Sequence, residues 1–395
     1  MLRAMSAPDP HDLVILGGGP AGAAAASTAA RLGLRTLLID KARFPRDKLC
    51  GGLFTGRARG EYRRIFGGDL DPALFEERRA ISFFLGPTPM GRMEDVPPMY
   101  LTRRRDLDAH LLAMAADAGA ELRTGCRVTQ IDLPASRLTL HDGTEVAYRV
   151  LVGADGVTSA VARALFGRAF DPETIGFALE KEMPPEPDPD IARAVRVDFG
   201  AADWGYGWSF PKSASTTVGV GGLQRLNPDL KARMHAYAAL LDQGDAEGMK
   251  GHFLPFGDYR RRPGRGNVLL AGDAAGFVDP ITGEGIAHAL ASGRLAAETA
   301  ARAIRKGQSA TAATPYHAAT RDIRTALRTA RMLRPIVFSQ RMAPVFTRSF
   351  GGSSRVKQAY MRMLAGEIEY PAVLWLVARR MPRAVWRTVV TRRGA

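Results

Sequence analysis

The chain has 395 residues, a formal net charge of +15, 46% hydrophobic and 24% charged residues. It is too long for one ordinary core and points to two or three cooperating domains. Its apolar and aromatic content excludes global disorder and a small staple-dependent fold. The two cysteines, Cys50 and Cys126, lie far apart and in no C-x-x-C, so they build neither a disulfide framework nor a cysteine zinc site and fit a reducing, cytoplasmic setting. The histidines show no ligand spacing, and no metal is expected. The apolar run at residues 13–16 is shorter than a signal peptide's core, and no run approaches the ~18 apolar residues of a spanning helix.

In chain order, residues 13–16 read as a buried strand that runs into a glycine-rich turn. An Ala-rich run to Leu32 reads as a helix, and residues 36–39 as a second buried strand ending at Asp40. Leu107, Leu111, Leu112 and Met114 are spaced for a helix from Arg104 to Ala118. Short apolar segments between Leu122 and Val152, broken by Gly and Pro, predict an antiparallel meander. Residues 166–261 alternate apolar and polar positions, which predicts a second, mainly β domain suited to a substrate pocket. Val268 to Ala271 reads as a strand, followed by a small-residue helix from about Gly285 to Ile304. After Thr311 the pattern is helical to the end.

The first turn, Gly17-Gly18-Gly19-Pro20-Ala21-Gly22, carries a G-x-G-x-x-G spacing with mechanical meaning. Its first glycine permits a tight turn, its second lets backbone approach a pyrophosphate, and its third lets the helix pack on the strand. The helix N-terminus then offers unpaired N–H groups to phosphates. Asp40, 18 residues beyond Gly22, can accept a ribose hydroxyl at the next strand's end. Two further turns follow strands: Gly153-Ala154-Asp155-Gly156, which opens a helix at Val157, and Gly272-Asp273, which leads into Pro280-Ile281-Thr282-Gly283-Glu284-Gly285. Taken singly, each Asp also reads as a helix cap. A plain dinucleotide-binding dehydrogenase needs neither.

This triple resembles the flavoproteins of p-hydroxybenzoate hydroxylase type over about residues 12–300. The resemblance implies an α/β fold: a discontinuous Rossmann-like FAD-binding domain (1–80, 100–165 and 262–310), an inserted mainly-β substrate domain (81–99 and 166–261) and a C-terminal helical region (311–395). It also implies FAD with its pyrophosphate at Gly17, Gly19, Pro20, Ala21 and Gly22, its ribose at Asp40, and adenine held by backbone at Val128. Further cofactor contacts are implied at Lys41, Arg46, Cys50, Gly51, Arg104, Asp155, Gly156, Gly272, Asp273, Pro280, Gly283, Gly285 and Ile286. A helix beginning at the Gly283–Ile286 loop would favour an anionic reduced flavin by roughly 0.3–1 kcal/mol. No second G-x-G-x-x-G follows another strand, so NAD(P)H or another reduced carrier is expected as a transient electron donor.

Two runs narrow the branch. Phe44-Pro45-Arg46-Asp47-Lys48-Leu49-Cys50-Gly51-Gly52 and Tyr206-Gly207-Trp208-Ser209-Phe210-Pro211-Lys212 resemble two signatures of geranylgeranyl reductases. The halogenase counterpart of the second is Trp-x-Trp-x-Ile-Pro, from which Tyr206 and Phe210 depart. The resemblance implies saturation of prenyl or related lipid double bonds by hydride from reduced flavin, with a proton to the other carbon. An isolated alkene is a poor electrophile until protonation begins, and aromatic faces stabilise a developing cation by ~0.5–2 kcal/mol each. Tyr206, Trp208 and Phe210 alternate, so in a strand they face one side and line either a pocket or an ordinary core. Cys50, Tyr206 and Trp208 are the candidate catalytic residues, and Tyr206, Trp208, Phe210 and Pro211 the candidate substrate contacts. Cys50 reads either as part of the active-site geometry or proton delivery, or as a small residue before a tight Gly-Gly turn. His288 reads as a proton donor or as a helix packing residue. The alternative function is FAD-dependent hydroxylation of an aromatic or polyketide-like molecule.

The charge is concentrated late: residues 321–395 carry 16 basic and 3 acidic side chains. Arg321, Arg324, Arg328 and Arg331 form a stripe beside Ile323, Leu327 and Ala330, an amphipathic helix. With Trp375 and Trp386 among further Arg and Leu, this suits peripheral association with an anionic membrane at its inner face, or a helical cap buried on the rest of the protein. No recognition module accompanies the charge, and nucleic acid is not an expected partner.

Overall fold

The computed structural model describes residues 9–244 and 246–378. Four buried apolar runs, Thr36–Asp40, His11–Leu16, Glu145–Gly153 and Val268–Leu270, lie side by side as parallel strands, with Glu121–Thr124 parallel beyond the first of them. Parallel strands need both faces covered. The alternation along His11–Leu16 shows how: Leu13 and Ile15 enter one core with the Ala-rich helices Pro20–Arg31 and Ile286–Arg305, while Val14 and Leu16 enter a second core with Val161, Leu165, Phe277 and Leu327.

The segment 121–153 is only in part a meander. Val128–Asp132, Arg137–Leu140 and the start of Glu145–Gly153 pair antiparallel, but Glu121–Thr124 pairs parallel with Thr36–Asp40 and extends the main sheet. The helix expected at Val157 begins at Ala160, because residues 156–158 form the turn and Ser159 supplies the cap to Ala162 N–H.

A second sheet has seven strands in the order Lys250–Leu254, Gly176–Met183, Thr216–Leu223, Gly205–Pro211, Ala194–Asp198, Ala80–Leu85 and Thr88–Met93, with one parallel pair, Ala194–Asp198 on Ala80–Leu85. One face buries Val218 and Val220 against Met234 and Tyr237 of the helix Leu230–Leu240. The other carries Ala178, Trp208 and Phe210.

The helix Arg321–Phe338 turns Ile323, Leu327 and Ala330 inward, as the apolar line requires. The arginine stripe is not uniformly outward, however. Arg321, Arg328 and Arg331 are exposed, whereas Arg324 is half-buried and donates to the carbonyls of His317 and Arg261. Arg334 is buried, donating to Phe256 O at 3.0 Å and Trp204 O at 3.1 Å with its guanidinium over the Phe256 ring. The tail is therefore docked as a cap through two of its own cations. Residues 379–395, including Trp386, lie outside the described residues. Among the described residues no helix is long and apolar enough to cross a membrane.

Candidate active site

The three turns open into one cavity of about 530 Å³ between the parallel sheet and the cleft face of the seven-stranded sheet. Its phosphate-binding end begins at the first turn. Gly17 has φ +106°, a conformation that favours glycine. A Cβ on Gly22 would lie 1.8 Å from Gly17 O, so the third glycine of the motif is consumed in helix packing and does not face the cavity, while Gly17, Gly19, Pro20 and Ala21 do. No side chain caps the helix Pro20–Arg31, nor the helix Ile286–Arg305 that starts at Gly285. Two helix N-termini with free N–H groups thus converge on the same space.

Asp40 is tightly engaged: Oδ2 accepts from Gly18 N–H at 2.6 Å and Oδ1 from Ala42 N–H at 2.7 Å. It lines the cavity beside Lys41 and Val128. Asp155 also lines the cavity with Gly156, but its carboxylate is spent on its own helix, accepting from Ser159 Oγ, Ala160 N–H and Val161 N–H. The capping reading holds for that residue. Gly272, Asp273, Gly283, Gly285 and Ile286 complete the third turn on the cavity wall. Pro280 does not line it, being buried behind the loop against Gly257.

Arg104 forms a two-bond fork on Asp108, at 2.7 and 2.9 Å, and Arg46 reaches the same carboxylate at 3.1 Å. Asp108 is fully buried, so one carboxylate holds two guanidinium groups at the cavity edge. Arg104 also lies beside the Cys50 thiol. Lys48 lines the same wall, and burial together with Arg104 pushes its ammonium down to about 8.

The other end is aromatic. In the strand Gly205–Pro211, Tyr206, Trp208 and Phe210 face the cavity and Pro211, on the opposite parity, does not. Trp208 and Phe210 are also buried core members, so this side of the core is itself the pocket wall. Room for the indole comes from Gly219 on the next strand, where a Cβ would lie 2.3 Å from Trp208 Cζ2. Tyr206 donates its hydroxyl to Thr282 O at 2.7 Å, fixing the strand to the Gly283 loop. The Cys50-Gly51-Gly52 turn packs over these rings, with a Cβ on Gly51 2.8 Å from Phe210 Cε2. Cys50 precedes this turn and faces the cavity, a position open to both of its readings.

Residues outside the predicted set share the cavity. Glu180 is 8% exposed, accepts from Cys50 N–H at 3.0 Å, and burial pushes it up to about 7. His252 is pushed down to about 4 by burial and nearby cations. Glu284 is held by Thr55 and Arg57 and raised by burial to about 7. Glu284 and Lys48 sit inside motifs already read, whereas the signal for Glu180 was a carboxylate on the inward parity of the strand Gly176–Met183, a parity that Glu182 shares. His288 is buried and lowered by burial to about 4, and it does not line the cavity.

The donor set fits a dinucleotide: two uncapped helix ends and guanidinium groups surround the glycine turn, and flat apolar walls lie beyond it. A model of FAD-dependent oxidoreductases matches residues 12–72, and a tryptophan halogenase model matches residues 76–329. Menaquinone reductase of Mycobacterium tuberculosis is 36% identical over 74% of this chain and 77% of its own length. The chloroplastic geranylgeranyl diphosphate reductase of Arabidopsis thaliana is 30% identical over 75% of this chain and 67% of its own. The crystal structure of a geranylgeranyl bacteriochlorophyll reductase-like protein from Thermoplasma acidophilum superposes with a TM-score of 0.71, covering 97% of this chain and 100% of that one at 22% identity. The chain belongs to the geranylgeranyl reductase-like family of FAD-dependent oxidoreductases. It is an FAD-dependent oxidoreductase related to both geranylgeranyl and menaquinone reductases.

Proposed function

We propose that the protein saturates an isolated double bond in a prenyl chain. The observation that carries this is the wall of Tyr206, Trp208 and Phe210 facing the same cavity as the three cofactor turns. The named relatives agree in one chemical feature, since menaquinone and geranylgeranyl diphosphate both carry an isoprenoid chain.

FAD, when bound and reduced, supplies the two electrons and one hydrogen. The chain's part is positional and electrostatic. The N-termini at Gly19 and Gly285, with Lys41, Arg46 and Arg104, would hold the cofactor's negative groups. The Tyr206 bond to Thr282 O keeps the Gly283 loop in register with the aromatic strand. Leu254, Phe256 and Leu364 extend the apolar lining and hold the chain by burial, at roughly 0.8 kcal/mol gross per methylene. Trp208 and Phe210 exclude water and offer π faces to positive charge developing on carbon. The electrons come from NAD(P)H or another reduced carrier in solution.

The test is anaerobic incubation of FAD-loaded, dithionite-reduced protein with geranylgeranyl diphosphate and, separately, with menaquinone. Mass spectrometry should show the gain of one H₂ per saturated bond. A hydroxylated aromatic product formed under air, with no saturation, would replace this function by oxygenation.

Membrane delivery of such a substrate is the second part of the proposal. Trp375 is 58% and Met332 50% exposed, two of the few exposed large apolar side chains among the described residues. They stand on the packed helices Tyr370–Ala378 and Arg321–Phe338 with Arg328 and Arg331 also outward. Co-sedimentation with anionic vesicles that weakens at high salt supports this; no binding at either salt removes it.

A further inference from the structure

The strand register places Glu180, Gly219 and Trp208 in one row across three adjoining strands. Glu180 and Trp208 both line the cavity. Gly219 has no side chain, and the indole occupies the space above it, so an aromatic ring and a carboxyl are neighbours across an empty position. The Cys50-Gly51 turn closes the row from above: Cys50 N–H binds Glu180 Oε1 at 3.0 Å, and a Cβ on Gly51 would stand 3.1 Å from Trp208 Nε1.

Two polar atoms in this row have no hydrogen-bond partner although both are buried: Glu180 Oε2 and Trp208 Nε1. Leaving such an atom unpaired is costly, on the order of a lost hydrogen bond or more. An ionised carboxylate with a bare buried oxygen is worse, and the carboxyl answers by keeping its proton. The Cys50 thiol is hydrogen-bonded with Arg104, and the other rival acids are likewise engaged. The Tyr206 hydroxyl donates to Thr282 O, Glu284 is bound by Thr55 and Arg57, and Lys48 lies toward Arg104 and Asp273 at the phosphate end.

The geometry points to Glu180 as the acid of the cleft, its carboxyl on the cavity wall giving a proton to one carbon of the double bond that lies across the Glu180–Gly219–Trp208 row. This rests on the prenyl reading for the identity of the acceptor atom. The carboxyl O–H bond breaks and a C–H bond forms. The electron pair and the hydrogen at the other carbon come from reduced flavin. The carboxylate left behind recovers a proton from water.

Charged groups face Glu180 from each packed element. Lys48 and the Cys50 turn lie on one side, Glu182 follows on its own strand, and Lys212 stands at the end of the aromatic strand. Lys250 and His252 lie on the adjoining strand, with Lys250 turned to Asp47 at 3.5 Å. Lys212 is bound to Glu182, whose half-exposed carboxylate also accepts from Ser215 and Thr217. That network stands two positions along the strand from Glu180 and reaches solvent through Glu182. Burial raises Glu180 to about 7, so the acid form is present below about pH 7 and lost above it.

The experiment uses FAD-loaded wild type and Glu180→Gln, which keeps the Oε1 acceptor for Cys50 N–H but has no acidic proton. The first readout needs no turnover. The infrared difference between the two proteins should contain a protonated carboxyl band at about pH 6 that disappears on titration through about pH 7. A residue that is already ionised at about pH 5 overturns the proposal. The second readout is anaerobic reduction of geranylgeranyl diphosphate, in which Glu180→Gln should lose about 10²–10⁴-fold at unchanged flavin absorbance, together with the alkaline fall in rate seen in wild type. Wild-type turnover by Glu180→Gln overturns the proposal. If the infrared band behaves as expected but the wild type saturates no prenyl bond, Glu180 stands as the site's acid and the prenyl reading is what fails.

Discussion

The two ends of the cleft are built on opposite electrostatic plans. At the phosphate end several charges are paired within the protein: Asp108 carries both Arg46 and Arg104, and Asp40 is tied to Gly18 and Ala42. At the aromatic end Glu180 Oε2 and Trp208 Nε1 stand unpaired among rings. A cofactor that stays calls for groups locked before it arrives. A transient apolar substrate calls for a wall that gains little by closing on itself.

This contrast breaks first at Asp108. Replacing it by Ala strands two guanidinium groups, one of them nearly buried, and should cost about 3–5 kcal/mol in denaturant unfolding, with FAD lost in parallel. Retained stability and flavin would show that the phosphate end does not depend on that triad.

Next comes a pH comparison at the aromatic end. The folded pKa of Glu180, about 7, exceeds the ordinary glutamate value of 4.5, so the folded state binds the extra proton. Its contribution to stability is complete below about pH 4.5 and disappears as pH rises through about 7. Glu180→Gln should therefore melt above wild type at pH 8, by up to about 3 kcal/mol, and lose that advantage at pH 5. Equal melting differences at both pH values would mean that the carboxyl is ordinary.

Gly219→Ala is smaller and more selective. Its methyl would stand 2.3 Å from the Trp208 ring, an overpacking cost of about 1–3 kcal/mol. Prenyl turnover should fall while FAD affinity, read by flavin fluorescence, stays near wild type. Trp375→Ala sits at the bottom of the scale: less than about 0.5 kcal/mol in stability, with anionic vesicle binding reduced.

Much of this was legible because local chemistry dictates it. The first turn needs glycine where φ is +106° and where a Cβ would strike Gly17 O, and those demands are written in the residues themselves. The alternation of Tyr206, Trp208 and Phe210 specified one face for the same reason, since the strand period is two. Asp155 was open to two readings because a cap and a ligand contact use the same residue type at the same place. Only the bonds to Ser159, Ala160 and Val161 decide it. Arg334 falls by spacing on the apolar line of Ile323, Leu327 and Ala330, where the carbonyls of Phe256 and Trp204 satisfy it, and those partners are 78 and 130 positions away.

The amino-acid order alone determined the nucleotide turns, the aromatic strand and the basic tail, because each depends on torsional limits or periodicity over a few neighbours. What tertiary structure decided was the company these elements keep. Glu180 became notable only when strand register set it beside Gly219 and, one strand further, Trp208, with the backbone of Cys50 above it. Burial and unpaired lone pairs are properties of an assembled neighbourhood, and desolvation acts only once water has been displaced.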